Sequence, residues 1–151
     1  VAKKIFLFLS TKKMLELIKL SKRTQNKVNI SVDNYKKYSE IYSNIEIEVI
    51  PVLNKDGKFI NINNFDKQSS FKIFFNNNKN EEIKRNTLSI KDNITKIDII
   101  IDYKVKSFSN LFFECKIIKL VNFKKFYRTN VENMRAMFQN CDSLEKVKIS
   151  N

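Results

Sequence analysis

A chain of 151 residues with a 42% hydrophobic share is long enough for one ordinary domain and apolar enough for a core, which excludes wholesale disorder. Its formal charge of +13 points to an anionic partner, yet only Arg23, Arg85, Arg128 and Arg135 carry the planar guanidinium that grips phosphates and base edges, so nucleic acid ranks low among the partners. There is no histidine to act as general base or metal ligand, one glycine (Gly57) cannot form a phosphate-cradling loop, and two cysteines cannot complete a zinc site; the chain therefore reads as non-enzymatic, with no catalytic residue, metal or cofactor.

Residues 1–43 read as helical. The apolar run at 5–9 is too short for a secretory signal and far too short to span a membrane. Ser10 or Thr11 can cap a helix reaching about Asn26, with Met14, Leu17, Ile18 and Ser21 in one stripe that Leu15 and Leu20 widen. Ser31 can cap a further helix with Tyr35, Tyr38 and Tyr42 on one face. Residues 44–92 form a second region. In Ile45-Glu-Ile-Glu-Val49 apolar and acidic residues alternate, as in a strand with one wet face, and Pro51 should put that strand at an edge or end it. Asn54-Lys-Asp-Gly57 is a turn signal, and residues 58–62 return as a second strand, so the two read as a hairpin. Phe71–Phe75 reads as a strand and residues 76–80 as an Asn-rich loop.

Residues 93–151 carry a repeat. Cys115 and Cys141 are 26 residues apart, and at that shift Phe108 falls on Met134, Leu111 on Met137, Phe112 on Phe138, Ile118 on Leu144, Val121 on Val147 and Phe123 on Ile149. Matched positions are all apolar or cysteine, as expected of one structural unit repeated. The pattern predicts a core ladder of Leu111, Phe112, Cys115, Ile118, Val121, Met137, Phe138, Cys141, Leu144 and Val147. It also predicts that Ile97–Ile101, residues 117–121 and residues 144–149 are successive parallel rungs. The cysteines should stack as small buried hydrophobes.

Residues 130–151, Asn-Val-Glu-Asn-Met-Arg-Ala-Met-Phe-Gln-Asn-Cys-Asp-Ser-Leu-Glu-Lys-Val-Lys-Ile-Ser-Asn, resemble the BspA-like leucine-rich repeat. The preceding unit is degenerate, with Lys124 and Lys125 where Ser and Asn would stand. This resemblance implies a solenoid used for protein contact or surface adhesion, with no catalytic residues. At the front, Ile5-Phe-Leu-Phe-Leu-Ser followed by a leucine-rich helix and Ser21-Lys-Arg23 resembles part of an F-box, although Gln25 stands where a Trp is usual. That second resemblance implies a substrate adaptor of a ubiquitin ligase, binding a Skp-type adaptor through Ile5, Phe6, Leu9 and Leu15; the other reading of these helices is a cap on the repeats.

The expected fold is α+β: N-terminal helices (1–43), a small β region with a hairpin and Asn-rich loop (44–92), then the truncated start of a leucine-rich-repeat solenoid with parallel strands (93–151). The chain begins at Val1 and stops within the repeat pattern, which suggests an excised fragment. The expected function is a protein-interaction module of BspA-like type. A ubiquitin-ligase adaptor is the alternative, and a basic nucleic-acid-binding domain ranks third. The expected location is the cytoplasm, with the cell surface as the alternative.

Overall fold

A computed structural model describes residues 13, 15, 16, 21–27, 31–62 and 68–150. Among the described residues, α1 (Lys22–Lys27) and α2 (Val32–Tyr42) precede the sheet, and Lys13, Leu15 and Glu16 are also helical. Ser31 caps α2 in an extended conformation: its backbone N–H donates to Asn34 Oδ1 at 2.8 Å, and the Asn34 N–H donates to the Ser31 carbonyl at 3.2 Å. The tyrosine face predicted for this helix docks it. Tyr42 meets Tyr103 edge-on at 5.5 Å, and the Tyr38 hydroxyl donates to Glu16 at 2.8 Å. Burial, and then the Glu16 carboxylate, push that hydroxyl up to about 12. The Thr129 N–H reaches the Glu40 carbonyl at 2.9 Å and ties α2 to the chain that follows Lys125. Ser10, Thr11, Met14, Leu17, Ile18 and Leu20 lie outside the described residues.

The strands are β1 (Ile45–Pro51), β2 (Gly57–Lys58), β3 (Phe71–Phe75), β4 (Thr87–Leu88), β5 (Ile97–Ile101), β6 (Ile118–Lys125) and β7 (Lys146–Ile149). Five of them form one mixed sheet in the order β3-β5-β1-β6-β7, and β2 pairs with β4 in a small separate sheet. This overturns the expected solenoid of parallel rungs. β1 lies antiparallel between β5 and β6, so Ile97–Ile101 is not the neighbour of β6; only β6 and β7 are parallel. The physical reason lies in β1. Its inner face, Ile45, Ile47 and Val49, is almost fully buried, and its acidic outer face meets lysines on both sides. A strand with both edges paired and one face in the core is a better filling for that gap than a third rung.

The hairpin is overturned for the same reason: β1 is the central strand of the large sheet, and Gly57–Lys58 pairs with Thr87–Leu88 instead. Pro51, which has no N–H to donate, is the last residue of β1, beyond a register shift against β6. The sheet draws strands from both 44–92 and 93–151, and one continuous apolar cluster joins them. The inner face is covered by loops and by β4, whose Phe59, Ile60, Leu88, Phe108, Leu111, Phe112 and Ile117 belong to the same buried cluster as the inner residues of β1, β5 and β6. Among the described residues, no helix is long and apolar enough to cross a membrane.

Candidate interaction surface

The parallel pair β6–β7 belongs to two stacked units, each a loop followed by a strand, and their register follows the 26-residue shift. Val121 faces Val147 and Phe123 faces Ile149. Ahead of the strands, Ser107 bridges Asn133 in parallel. The backbones repeat as well: φ is positive at Asn110 and Glu114 (58° and 57°) and, 26 residues later, at Ala136 and Asn140 (52° and 58°). Four N–H groups of the first loop, on Phe108, Asn110, Phe112 and Glu114, donate to the carbonyls of Asn133, Arg135, Met137 and Gln139 at 2.7–3.0 Å. The rings of Phe112 and Phe138 stack at 5.4 Å and 3°.

Ion pairs keep the same interval. Lys106–Glu132 (2.9 Å), Lys116–Asp142 (3.4 Å) and Lys119–Glu145 (3.5 Å) each join equivalent positions of the two units. All six side chains are about half exposed or more, so each pair contributes about 0–1 kcal/mol. Their main effect is on register, because a unit slipped by one residue would break all three pairs and, in one direction, set Lys119 beside Lys146.

The two units differ in what covers them. On the far side of the first unit, Asn61 acts as a clamp. Its N–H donates to the Leu111 carbonyl at 2.8 Å, and its side-chain amide donates to the carbonyls of Asn110 and Phe113. The outer side of the second unit has no such cover among the described residues. The N–H groups of Met134, Ala136, Phe138 and Asn140 are the equivalents of the four donors above and have no partner there. Phe108, Val121 and Phe123 are at most 3% exposed, while their equivalents Met134, Val147 and Ile149 are 44%, 44% and 61% exposed.

The predicted core ladder is thus placed in two parts. Leu111, Phe112, Cys115, Ile118, Val121 and Met137 are buried, and Phe138, Cys141 and Leu144 are half-buried against the same cluster. Val147 is exposed, because β7 is the last strand of the sheet and only one of its edges is paired. Both cysteines are free thiols. Burial pushes Cys115 up to about 12 and also raises Cys141, whose Sγ donates to the Phe112 carbonyl at 2.9 Å. Thiols held protonated are poor nucleophiles, so the pair behaves as packing. Of the predicted adaptor-binding residues, Leu15 is buried, and Ile5, Phe6 and Leu9 lie outside the described residues.

One feature escaped the sequence reading. Arg128 is 5% exposed, and its guanidinium donates to the carbonyls of Val105 (2.7 Å) and Asp102 (3.3 Å), pinning the chain after β6 to the turn after β5. Lys146 and Lys148 alternate with Val147 and Ile149 along the edge strand β7, an alternation visible in Lys146-Val-Lys-Ile149. Among the described residues, shallow depressions of about 180, 190 and 240 Å³ dent the surface without bringing two carboxylates together. Comparisons with protein-family models, curated proteins and solved structures give no significant match.

Proposed function

We propose that the chain is a non-enzymatic protein-interaction module that takes up polypeptide along the open side of its second loop-and-strand unit. One observation carries this reading. Positions buried in the first unit reappear 26 residues later as exposed apolar side chains beside backbone donors with no partner among the described residues. Apolar side chains next to free N–H groups suit another polypeptide chain, which can cover the one and accept from the other. The similarity of residues 130–151 to the BspA-like repeat, a unit associated with protein contact, supports the same reading.

Panning a random peptide library over the immobilised chain tests it. The wild type should enrich peptides that the Val147→Asp/Ile149→Asp variant does not retain, with circular dichroism unchanged between the two. If wild type and variant return the same peptides, or neither returns any above the bare matrix, the surface is not an interaction site.

A further inference from the structure

The small sheet brings two turns together. Gly57 opens β2, Leu88 closes β4, and the two residues are paired, so the turn before Gly57 and the turn after Leu88 lie side by side. The Ile90 N–H donates to Asp56 Oδ1 at 2.6 Å and ties one turn to the other. Between them lies the depression of about 190 Å³, whose lining includes buried Leu88 and half-buried Val52 and Ile94. Leu53 and Ile90 line it from the two turns and are 58% and 51% exposed. Adjoining aliphatic side chains around an apolar depression form a patch rather than scattered surface residues.

The charges at this patch are positive. Lys55 and Lys91 are exposed, stand close to Leu53 and Ile90 in the chain, and have no ion-pair partner among the described residues. The nearby acids are engaged. Asp56 holds the Ile90 N–H, and Asp92 accepts from the Ser89 N–H and from Arg85, each at 2.6 Å. The whole chain adds a formal charge of +13.

We propose that these two turns bind the surface of an anionic lipid bilayer, with Leu53 and Ile90 inserted into the interface and Lys55 and Lys91 among the headgroups. Apolar insertion joined to electrostatic attraction is what holds peripheral proteins on anionic membranes. Nucleic acid is the weaker fit. Bases stack on aromatic rings and phosphates pair best with arginine, whereas this patch offers aliphatic side chains and lysines. Attachment here is independent of peptide binding at the second loop-and-strand unit.

The test is sedimentation of the full chain with phosphatidylcholine vesicles made with and without phosphatidylserine. The wild type should bind the phosphatidylserine vesicles roughly tenfold more tightly, and the difference should shrink as salt is raised. Lys55→Gln/Lys91→Gln and Leu53→Ser/Ile90→Ser should each weaken that binding by roughly tenfold. Lys36→Gln/Lys37→Gln removes the same charge from α2 and should keep most of the binding. All six positions are exposed, so the three variants should keep the wild-type circular dichroism. No binding, binding that ignores phosphatidylserine, or unchanged binding of the Leu53→Ser/Ile90→Ser variant would overturn the proposal. Equal losses in the two lysine variants would also overturn it, leaving only the general attraction of a basic chain. A labelled single-stranded oligonucleotide that binds through Lys55 and Lys91 where vesicles do not would reassign the patch to nucleic acid.

Discussion

At the scale of single residues, backbone sign decides more than side-chain chemistry. Gly57 has φ of 153°, and a Cβ there would meet Ile117 Cγ2 at 2.7 Å. Ile117 is a buried, β-branched side chain with little room to give way. Gly57→Ala should therefore lower stability by about 1–3 kcal/mol through overpacking and strain. Ala136 is the converse case. It sits at φ of 52°, where an L-residue is strained and glycine is not, so Ala136→Gly should raise stability by about 0.5–1 kcal/mol. Urea unfolding of both variants checks the pair, and equal signs would refute the backbone argument. The turn at Gly57 was legible from Asn54-Lys-Asp-Gly57. The left-handed Glu114 and Ala136 were not, because neither residue type favours that conformation.

At the scale of elements, the outer face of the sheet is held by charge across strands. Burial alone would raise the Glu48 carboxyl, but the ammonium groups of Lys124 and Lys96 outweigh it and hold the group below the usual carboxylate range. A carboxyl with a lowered folded-state value stabilises the fold fully above its unfolded value of about 4.3, and that contribution is lost as pH falls through the folded value. Stability should therefore decline on acidification below about pH 5, and Glu48→Gln should flatten that part of the profile. Urea midpoints measured from neutral pH downward read the slope; a variant with the wild-type slope would exclude Glu48 as its source. The alternation Ile45-Glu-Ile-Glu-Val49 announced this element correctly, wet face included. It could not announce the lysines opposite, which lie about fifty and eighty residues further along the chain.

At the scale of the whole molecule, β1 joins the early and late parts of the sequence. It bonds β5 on one side and β6 on the other, and its inner residues belong to the one continuous core. The sheet should unfold as a unit. Ile47→Ala, at a site 1% exposed, should cost about 2–5 kcal/mol while leaving a single transition. Far-UV circular dichroism and tyrosine fluorescence should give the same midpoint in denaturant; separated midpoints would mean that the sheet and the α2 tyrosines unfold independently.

The local pattern of the chain was enough to specify several elements: the Ser31-capped helix, the strands at Ile45–Pro51, Phe71–Phe75 and Ile97–Ile101, and the 26-residue correspondence that reappears as the β6–β7 register. Each depends on contacts that recur at short or fixed intervals, so each leaves a trace in periodicity. Which strand lies beside which left no such trace. The sequence placed Ile97–Ile101 next to the following rung, and the fold put β1 between them. Period-two alternation says which face of a strand is buried but is silent about its neighbours, and several apolar strands could have filled that position. The same holds for the candidate surface. Met134, Val147 and Ile149 look as apolar as their buried equivalents, and only the end of strand pairing at β7 leaves them exposed.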